Sequence, residues 1–261
     1  MNDDLVCEQI QNIRCIALNR TQKHNAFDDT LLLGLQAALE SAIACPETRV
    51  IVLGANGTHF SAGADLAWMQ RMTNFSEAEN LADARVLARV MHTLYHSPKP
   101  TLAKVQGSAF GGGVGLIAAC DMAIASETAS FCFSETRLGL IPAVISPYVI
   151  EAMGARQARR LFMSAERFSA QEALTLGLLC RMVDASKLDT VTMELAETLA
   201  RNAPNAVAAC KQLVSDVANR PIDEGILELT ARKIAQTRVS AEGQEGLRAF
   251  LAKRAPDWSK G

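Results

Sequence analysis

The segment Thr101–Cys120, with the sequence TLAKVQGSAFGGGVGLIAAC, decides how the fold of this chain is predicted. Its first part, Thr101–Val105, is an apolar run of strand length. Five glycines follow, of which Gly111–Gly113 are predicted as a loop, and a helix is predicted over Gly115–Cys120. Glycines there expose backbone N–H groups at a helix start, where negative charge is attracted. The segment therefore predicts a strand, an anion-binding turn and a helix.

The same alternation of strands and helices extends outward from this segment in both directions. Strands are also predicted at Leu5–Ile10, Arg14–Leu18, Val50–Leu53, Met122–Ala125, Ser130–Phe133 and Leu178–Val183. Helices are predicted over Asp28–Ala44 with Asp28 and Asp29 placed for its N-cap, from about Asp65, over Glu77–His96 and, after an irregular loop to Pro147, through most of the remaining chain. This order predicts an α/β fold whose core domain, residues 1–187, carries the active site, followed by a helical region, residues 188–261.

Composition and charge exclude several classes of protein. The chain has 49% apolar and 21% charged residues, a formal net charge of -2 and a pI near 6.1, so it lacks the basic character of a nucleic-acid-binding protein. No run of 18 apolar residues occurs, and the acidic start Met1–Asp4 lacks the apolar segment of a signal peptide. These features predict a cytoplasmic protein with neither a nucleic acid nor a membrane as its partner.

Cysteine and histidine usage argues against a metal site. The seven cysteines are odd in number and form no Cys-x-x-Cys pair, which is typical of reduced, buried cysteine in a cytosolic protein. The four histidines form no His-Glu-x-x-His pattern, and His92 with His96 would supply only two ligands. We therefore predict no metal.

Two further segments carry candidate chemistry. Phe60–Asp65, with the sequence FSAGAD, places small residues after a strand and before a helix, where a ligand can approach the backbone. Ser134–Pro142, with the sequence SETRLGLIP, places the carboxylate of Glu135 directly after a strand. Each segment alone also fits a plainer interpretation: a tight strand–helix connection in the first case and a solvated strand-end glutamate in the second.

A dinucleotide site is an alternative for the glycine-rich segment. Gly113-x-Gly115-x-x-Ala118 fits the G-x-G-x-x-G/A fingerprint, and Glu135 follows Gly115 at the spacing of the ribose-binding acid. In that fingerprint, however, the strand runs directly into the first glycine. Here seven residues separate Val105 from Gly113, which disfavours the alternative.

Taken together in this order, the segments resemble the crotonase (enoyl-CoA hydratase/isomerase) superfamily. The resemblance covers nearly the whole chain and is carried by Asn19-Arg20, Asn25-Ala26, Phe60–Asp65, Gly111–Asp121, Ser134–Pro142, Gly154–Val183, Glu245-Gly246, Phe250 and Lys253-Arg254. It implies a spiral of ββα units followed by C-terminal helices that cover the active site and make subunit contacts. The implied assembly is a homotrimer or hexamer.

The resemblance also implies which residues act on the substrate. The backbone N–H groups of Ala64 and Gly112 correspond to the family's oxyanion hole, and Glu135 corresponds to a catalytic glutamate. An acyl-CoA is the implied substrate, and no cofactor is implied beyond the coenzyme A that the substrate carries. The implied coenzyme A contacts are Lys23, His24, Ala62, Asp65, Leu66, Phe250 and Lys253.

The sequence departs from the family pattern at one catalytic position. Hydratases with two catalytic glutamates carry the other glutamate where this chain has Gly115, so Glu135 remains as the one carboxylate at the expected points. The segments around Ala64, Gly115 and Glu135 resemble those of bacterial methylglutaconyl-CoA hydratases. They also resemble those of the dehydratases of polyketide β-branching, which act on the same acyl skeleton tethered to a carrier protein. This similarity implies interconversion of 3-methylglutaconyl-CoA and 3-hydroxy-3-methylglutaryl-CoA. We also expect Gly115→Glu to restore the second carboxylate.

A substrate of that kind ends in a second carboxylate, whose burial without a partner is costly. We expect a basic or hydroxyl side chain to line the acyl pocket. The candidates are Arg71, which is favoured, Arg137, which would otherwise pair with Glu135, and the pair Ser146 and Tyr148. In the plainer interpretation, both arginines are solvated surface groups.

Two other functions are retained as alternatives. A single carboxylate also suits a Δ3,Δ2-enoyl-CoA isomerase, because a 1,3-proton shift needs one shuttle, and a decarboxylase of the same family is grouped with it. A scaffold that binds CoA or RNA without catalysis is a more distant alternative, which the missing glutamate alone supports.

Overall fold

The computed structural model describes residues 4–259, so Met1–Asp3, part of the acidic start considered above, and the last two residues lie outside the described chain. The described strands, in chain order, are β1 (Leu5–Ile10), β2 (Ile13–Leu18), β3 (Val50–Ala55), β4 (His59–Ser61), β5 (Thr101–Val105), β6 (Ser108–Phe110), β7 (Met122–Ser126), β8 (Ser130–Cys132), β9 (Arg167–Ser169) and β10 (Arg181–Val183).

The strands form two sheets that share the chain between them. The larger sheet has the order β1-β2-β3-β5-β7-β10, and the smaller sheet has the order β4-β6-β8-β9. Each of the pairs β3/β4, β5/β6 and β7/β8 gives its first strand to the larger sheet and its second to the smaller one. This regular exchange is the predicted spiral of ββα units, and the α/β fold class is confirmed.

Helices follow the strand pairs and complete the chain. They are α1 (Asp29–Ala44), α2 (Leu66–Met72), α3 (Glu77–Tyr95), α4 (Gly112–Ala118), α5 (Ser146–Met153), α6 (Ala155–Ser164), α7 (Ala170–Thr175), α8 (Leu188–Ala200), α9 (Pro204–Val217), α10 (Glu224–Val239) and α11 (Ala241–Leu251). The carboxylate of Asp28 accepts a hydrogen bond of 3.0 Å from the N–H of Leu31, so the predicted N-cap of α1 is confirmed.

The glycine-rich segment forms more helix than predicted. Gly112 and Gly113 are the first residues of α4, and Gly111, with φ of 51°, is its N-cap. A Cβ atom on Gly113 would lie 2.9 Å from Cβ of Ser61, and one on Gly115 would lie 2.7 Å from Cβ of Ile145. Tertiary packing therefore requires glycine inside this helix, although glycine disfavours helix when no such contact exists.

The other boundaries that differ from prediction lie in short elements. Strands β4, β6 and β9, of three residues each, were not predicted. The strand predicted at Leu178–Val183 is confined to β10, and Pro147 lies in the first turn of α5 and not in a loop.

The C-terminal helices divide into two groups. Helix α8 packs on the larger sheet, where Ala196 is buried against Val50, Val52 and Leu102. Helices α9 to α11 bury little: in this group only Ile226 and Ala249 are buried. Large apolar side chains remain exposed on them or between them, namely Val214, Ile222, Leu227, Ile234, Val239, Leu247, Phe250 and Leu251. The division at residue 187 and the subunit contacts remain predictions.

The cysteines are free, as predicted, but most are not buried. Among the described residues only Cys132 is buried, whereas Cys7, Cys180 and Cys210 are exposed. The apolar runs around them predicted burial wrongly because one side of each element faces solvent. None of the helices within residues 4–259 combines the length and the apolar composition of a membrane span.

Candidate active site

The carboxylate of Glu135 lies against the start of α4. Glu135 begins a 3-10 turn, Glu135–Leu138, directly after β8. A Cβ atom on Gly111 would lie only 2.8 Å from Oε1 of Glu135, so the two groups touch and position 111 has no room for a side chain. Oε2 of Glu135 is buried and has no hydrogen-bond partner among the described residues. Burial raises the pKa of Glu135.

The N–H of Gly112 precedes the hydrogen-bonded part of α4. The first N–H groups that bond to the carbonyl of Gly111 are those of Val114, at 2.9 Å, and Gly115, at 3.2 Å. The N–H of Gly112 is therefore one of the helix-start donors that have no intrahelical acceptor. Gly112 is partly exposed, and it directly follows Gly111, which the carboxylate of Glu135 contacts.

The backbone around Ala64 is held next to this helix start. The N–H of Phe27 donates to the carbonyl of Gly63 at 2.9 Å, and the N–H of Asp65 donates to the carbonyl of Phe27 at 3.0 Å. This bridge does not use the N–H of Ala64. A Cβ atom on Gly112 would lie 2.6 Å from Cζ of Phe27, so Phe27 contacts both segments. The arrangement brings together the regions of the two predicted oxyanion donors.

The position of the second family carboxylate is filled. Gly115 lies one turn after Gly111 on α4, so both glycines lie on the same face of the helix. Ile145 is buried against Gly115, and Cε of Met91 would lie 3.1 Å from a Cβ atom at that position. The expectation that Gly115→Glu simply restores a carboxylate is wrong, because that side chain would collide with Ile145.

Lys23 and Asp65 pair with each other at the edge of the site. Nζ of Lys23 lies 2.7 Å from Oδ2 of Asp65, and this hydrogen bond holds the pKa of Asp65 below its ordinary value. Asp65 also caps α2, accepting hydrogen bonds from the N–H groups of Ala67 and Trp68. The buried guanidinium of Arg20 lies 3.6 Å from the same carboxylate. The side chain of Asp65 therefore has a structural role, and a coenzyme A contact there would come from the backbone.

The remaining predicted coenzyme A residues are mostly accessible. His24 has φ of 51°, and its carbonyl accepts a hydrogen bond of 2.9 Å from the N–H of Ala62. The side chain of Leu66 is 82% exposed at the start of α2. Phe250, at the end of α11, is 81% exposed, and Lys253 follows it in a left-handed conformation. These side chains are free to meet a ligand or another subunit.

Three of the four predicted partners of a distal carboxylate, namely Arg71, Arg137 and Ser146, have polar partners within the chain. Nη2 of Arg71 lies 2.8 Å from Oδ1 of Asp29, in a half-exposed ion pair. Nη2 of Arg137 donates to the carbonyl of Ala165 at 2.6 Å, so Arg137 does not pair with Glu135 as considered above. The hydroxyl of Ser146 donates to the carbonyl of Ala143. The ring of Tyr148 lies 5.3 Å from that of Tyr95, beyond Ile145.

The sequence analysis did not indicate the residues that pack against α4 next to Glu135. Leu87 and Met91 on α3 contact the start and the middle of α4, and Ile145 covers Gly115. One turn before Leu87, Asp83 accepts a hydrogen bond of 2.9 Å from Nε1 of Trp68. The spacing of residues 83, 87 and 91 marks one helix face, but nothing in the sequence indicates that this face meets α4.

The dinucleotide alternative does not fit this geometry. Gly113 and Gly115 lie inside α4 and are covered by Ser61 and Ile145, so neither glycine offers its backbone to a pyrophosphate. The chain also lacks the strand order of a doubly wound sheet in its described residues. In residues 4–259, no group of three or more ligand-type side chains is placed to hold a metal ion.

Comparison with known proteins gives a consistent result. The family model described as "Enoyl-CoA hydratase/isomerase" matches residues 8–261. The crystal structure of an enoyl-CoA hydratase/isomerase (crotonase) from Legionella pneumophila is 55% identical in sequence to this chain. Its TM-score is 0.96, and the match covers 99% of this chain and 100% of that one. An enoyl-CoA hydratase from Shewanella pealeana is 47% identical, with a TM-score of 0.95 and coverage of 98% and 96%. The 2,3-dehydroadipyl-CoA hydratase of Escherichia coli is 31% identical over 98% of both chains.

Proposed function

Because the chain belongs to the enoyl-CoA hydratase/isomerase family, we propose that it is an acyl-CoA hydratase, a carbon–oxygen lyase that works through a thioester enolate. The observation that carries this proposal is the buried carboxylate of Glu135, which rests on Gly111 beside the N–H of Gly112. A proton-transfer group and an oxyanion donor therefore lie next to each other.

The chemistry follows from the two groups. When Glu135 removes the proton at the carbon next to the thioester, negative charge develops on the thioester oxygen. The N–H groups of Gly112 and Ala64 stabilise that charge, and one such donor typically contributes about 3 kcal/mol. The hydroxyl on the next carbon then leaves as water, taking the proton that Glu135 carries. Hydration is the reverse, with Glu135 first accepting a proton from water.

The proposed acyl substrate is 3-methylglutaconyl-CoA, which is interconverted with 3-hydroxy-3-methylglutaryl-CoA. The Escherichia coli relative is named for a dehydroadipyl thioester, which also carries a distal carboxylate. Of the four candidate partners for such a group, Arg71 is the one that the sequence favours. Both Arg71 and its partner Asp29 influence the pKa of Asp83, which burial raises.

A paired substitution tests whether Arg71 recognises a distal carboxylate. Arg71→Met should lower kcat/KM at least about 10-fold on 3-methylglutaconyl-CoA and little on crotonyl-CoA, because only the first substrate leaves a carboxylate unpaired. Asp29→Asn is the matched control, since it breaks the same ion pair but keeps the arginine. Equal losses on both substrates, or a loss in Asp29→Asn as large as in Arg71→Met, would contradict the dicarboxylic substrate.

A Δ3,Δ2-enoyl-CoA isomerase is the second candidate function, and the filling of position 115 by Ile145 favours it. A 1,3-proton shift needs one carboxylate, whereas hydration by one carboxylate requires Glu135 to handle both protons. Incubation with 3-hexenoyl-CoA and product identification by mass spectrometry separates the two functions. An isomerase converts 3-hexenoyl-CoA into conjugated 2-hexenoyl-CoA without a mass change, which the ultraviolet absorbance of the conjugated thioester detects. A hydratase leaves 3-hexenoyl-CoA unchanged and adds one water to trans-2-hexenoyl-CoA.

We further propose that helices α9 to α11 form the subunit contacts of a homotrimer or hexamer. Large apolar side chains are exposed on or between these helices, and a patch of such side chains marks a protein contact surface. Light scattering should give three or six times the chain mass of 28.1 kDa. Ile234→Glu with Val239→Glu should lower that mass, whereas Leu33→Glu, on the distant α1, should not. A wild-type mass of one chain at micromolar concentration would contradict the assembly.

A further inference from the structure

Helices α3, α4 and α5 meet in successive layers that lead away from Glu135. In the first layer, Leu87 of α3 lies 3.7 Å from the Cβ position of Gly112. In the second, Met91, one turn later, and Ile145, at the start of α5, meet over Gly115. The spacing of four residues on α3 and on α4 keeps these contacts on facing sides of the two helices.

The third layer consists of two tyrosines that border a cavity. Tyr95, one turn after Met91, and Tyr148, one turn after Ile145, have ring centroids 5.3 Å apart. Both tyrosines line a cavity of about 530 Å³. Most of its wall is apolar and is supplied by Ile117, Ala118, Ala152, Leu178, Leu179 and Val207, while Asp121, Glu151 and Lys211 add charged groups. The cavity therefore lies at the far end of α4 from the catalytic carboxylate.

Met91 and Ile145 form the layer between the start of α4, where Glu135 lies, and the two tyrosines that line the cavity. Both side chains are buried, and a Cβ atom on Gly115 would lie 3.1 Å from Cε of Met91 and 2.7 Å from Cβ of Ile145. The absence of a side chain at Gly115 is what allows Ile145 to approach so closely. Of the two, Ile145 is the stiffer because it is branched at Cβ, whereas a methionine adapts its shape easily.

We propose that Ile145, supported by Met91, is a specificity-determining residue that closes the end of the acyl pocket and limits the length of the acyl chain. The proposal rests on the proposed function in one respect: the thioester must lie at Gly112 and Glu135. The acyl chain then points along α4 and stops at Ile145. Tyr95 and Tyr148 lie beyond Ile145 and line the cavity, so removal of the Ile145 side chain would extend the acyl pocket toward it.

The experiment compares chain-length preference in wild type and Ile145→Ala. The ratio of kcat/KM for trans-2-decenoyl-CoA to that for crotonyl-CoA should rise at least about 10-fold in the variant, since even one methylene that fits or does not fit changes kcat/KM by roughly 10-fold or more. Removing a buried isoleucine side chain should also lower Tm by several degrees. Ile145→Val is a milder variant that should give a smaller rise in the same direction.

A second substitution shows whether the longer chain enters this cavity. Ala152 lines the cavity from α5 and does not contact Gly115. Ile145→Ala with Ala152→Phe should lose the gain on trans-2-decenoyl-CoA and keep the crotonyl-CoA rate of Ile145→Ala. If the double variant keeps the long-chain gain, the acyl chain takes another route and the proposed role of the cavity is wrong.

Binding provides a readout that does not depend on turnover. Saturated butyryl-CoA and decanoyl-CoA should raise Tm by an amount that increases as the ligand concentration exceeds the Kd for the folded protein. The rise in Tm that decanoyl-CoA causes should be larger in Ile145→Ala than in wild type. The rise that butyryl-CoA causes should change less. An unchanged preference in folded Ile145→Ala and Ile145→Val would overturn the proposal. Absence of turnover with every enoyl-CoA in wild type, together with the expected change in binding, would instead refute the proposed hydratase and leave the role of Ile145 standing.

Discussion

Glu135→Gln is expected to lower kcat on enoyl-CoA substrates at least about 10²-fold, because it removes general acid–base catalysis by a carboxylate that contacts the start of α4. Binding of CoA thioesters should stay within a few-fold, since the amide has nearly the same shape. Glu127→Gln is a matched control on an exposed glutamate and should leave kcat unchanged. If Glu135→Gln keeps more than a tenth of the wild-type rate, the assignment of Glu135 as the general acid–base group is wrong.

The same variant has a stability signature that excludes simple misfolding. Burial raises the pKa of Glu135 in the folded protein, so protonation favours the folded state. The stabilisation is fully present below the unfolded-state pKa and is lost as pH rises through the raised folded-state pKa. Glutamine stays neutral throughout, so Tm of Glu135→Gln should match wild type at low pH and exceed it at neutral pH. A lower Tm at neutral pH would contradict the burial of an unpaired carboxylate.

The raised pKa of Glu135 also shifts the acidic limb of the pH profile of kcat/KM to higher pH. Glu135 must be ionised to accept the first proton from water or substrate. The acidic limb of kcat/KM should therefore lie above the ordinary range of a glutamate side chain. An acidic limb at or below that range would indicate that another group takes the first proton.

Local signals in the sequence predicted the elements that they themselves determine. The N-cap at Asp28 was predictable because a capping side chain and the N–H that it serves lie three residues apart. Strands such as β4 and β9 were not, because three residues are too few to show an alternating pattern. The helical start at Gly112 was hidden for another reason: the contacts that require glycine there come from distant segments.

In the candidate site, too, the sequence indicated features that depend on local motifs but not features that depend on distant contacts. The ordered motifs indicated Ala64, Gly112 and Glu135, and the structure brings the surrounding segments together. The chemical types of Arg71 and Arg137 suggested carboxylate partners, but each is engaged by a group far away in the sequence. Contacts between segments that lie far apart in one sequence leave no periodicity, so neither the layer around Gly115 nor these partners could be predicted.

A direct test of the oxyanion donor must separate it from packing. Gly112→Pro removes the N–H, and proline is well tolerated at the first position of a helix. However, any Cβ atom at this position would lie 2.6 Å from Cζ of Phe27 and 3.0 Å from Cε2. A loss of activity in the single variant would therefore report a collision as well as a missing donor.

The collision is removed by working in a Phe27→Leu background, where both ring atoms are absent. Phe27→Leu with Gly112→Ala keeps the N–H, and Phe27→Leu with Gly112→Pro deletes it, so the comparison isolates the donor from the added Cβ atom. The proline variant should have a kcat about 10²- to 10³-fold below that of the alanine variant, the usual effect of one oxyanion donor. Tm and butyryl-CoA binding should show that both variants are folded and still bind the thioester. If folded proline and alanine variants turn over substrate at equal rates, the enolate charge is not held by the N–H of Gly112, and the site must stabilise it from Ala64 or another group.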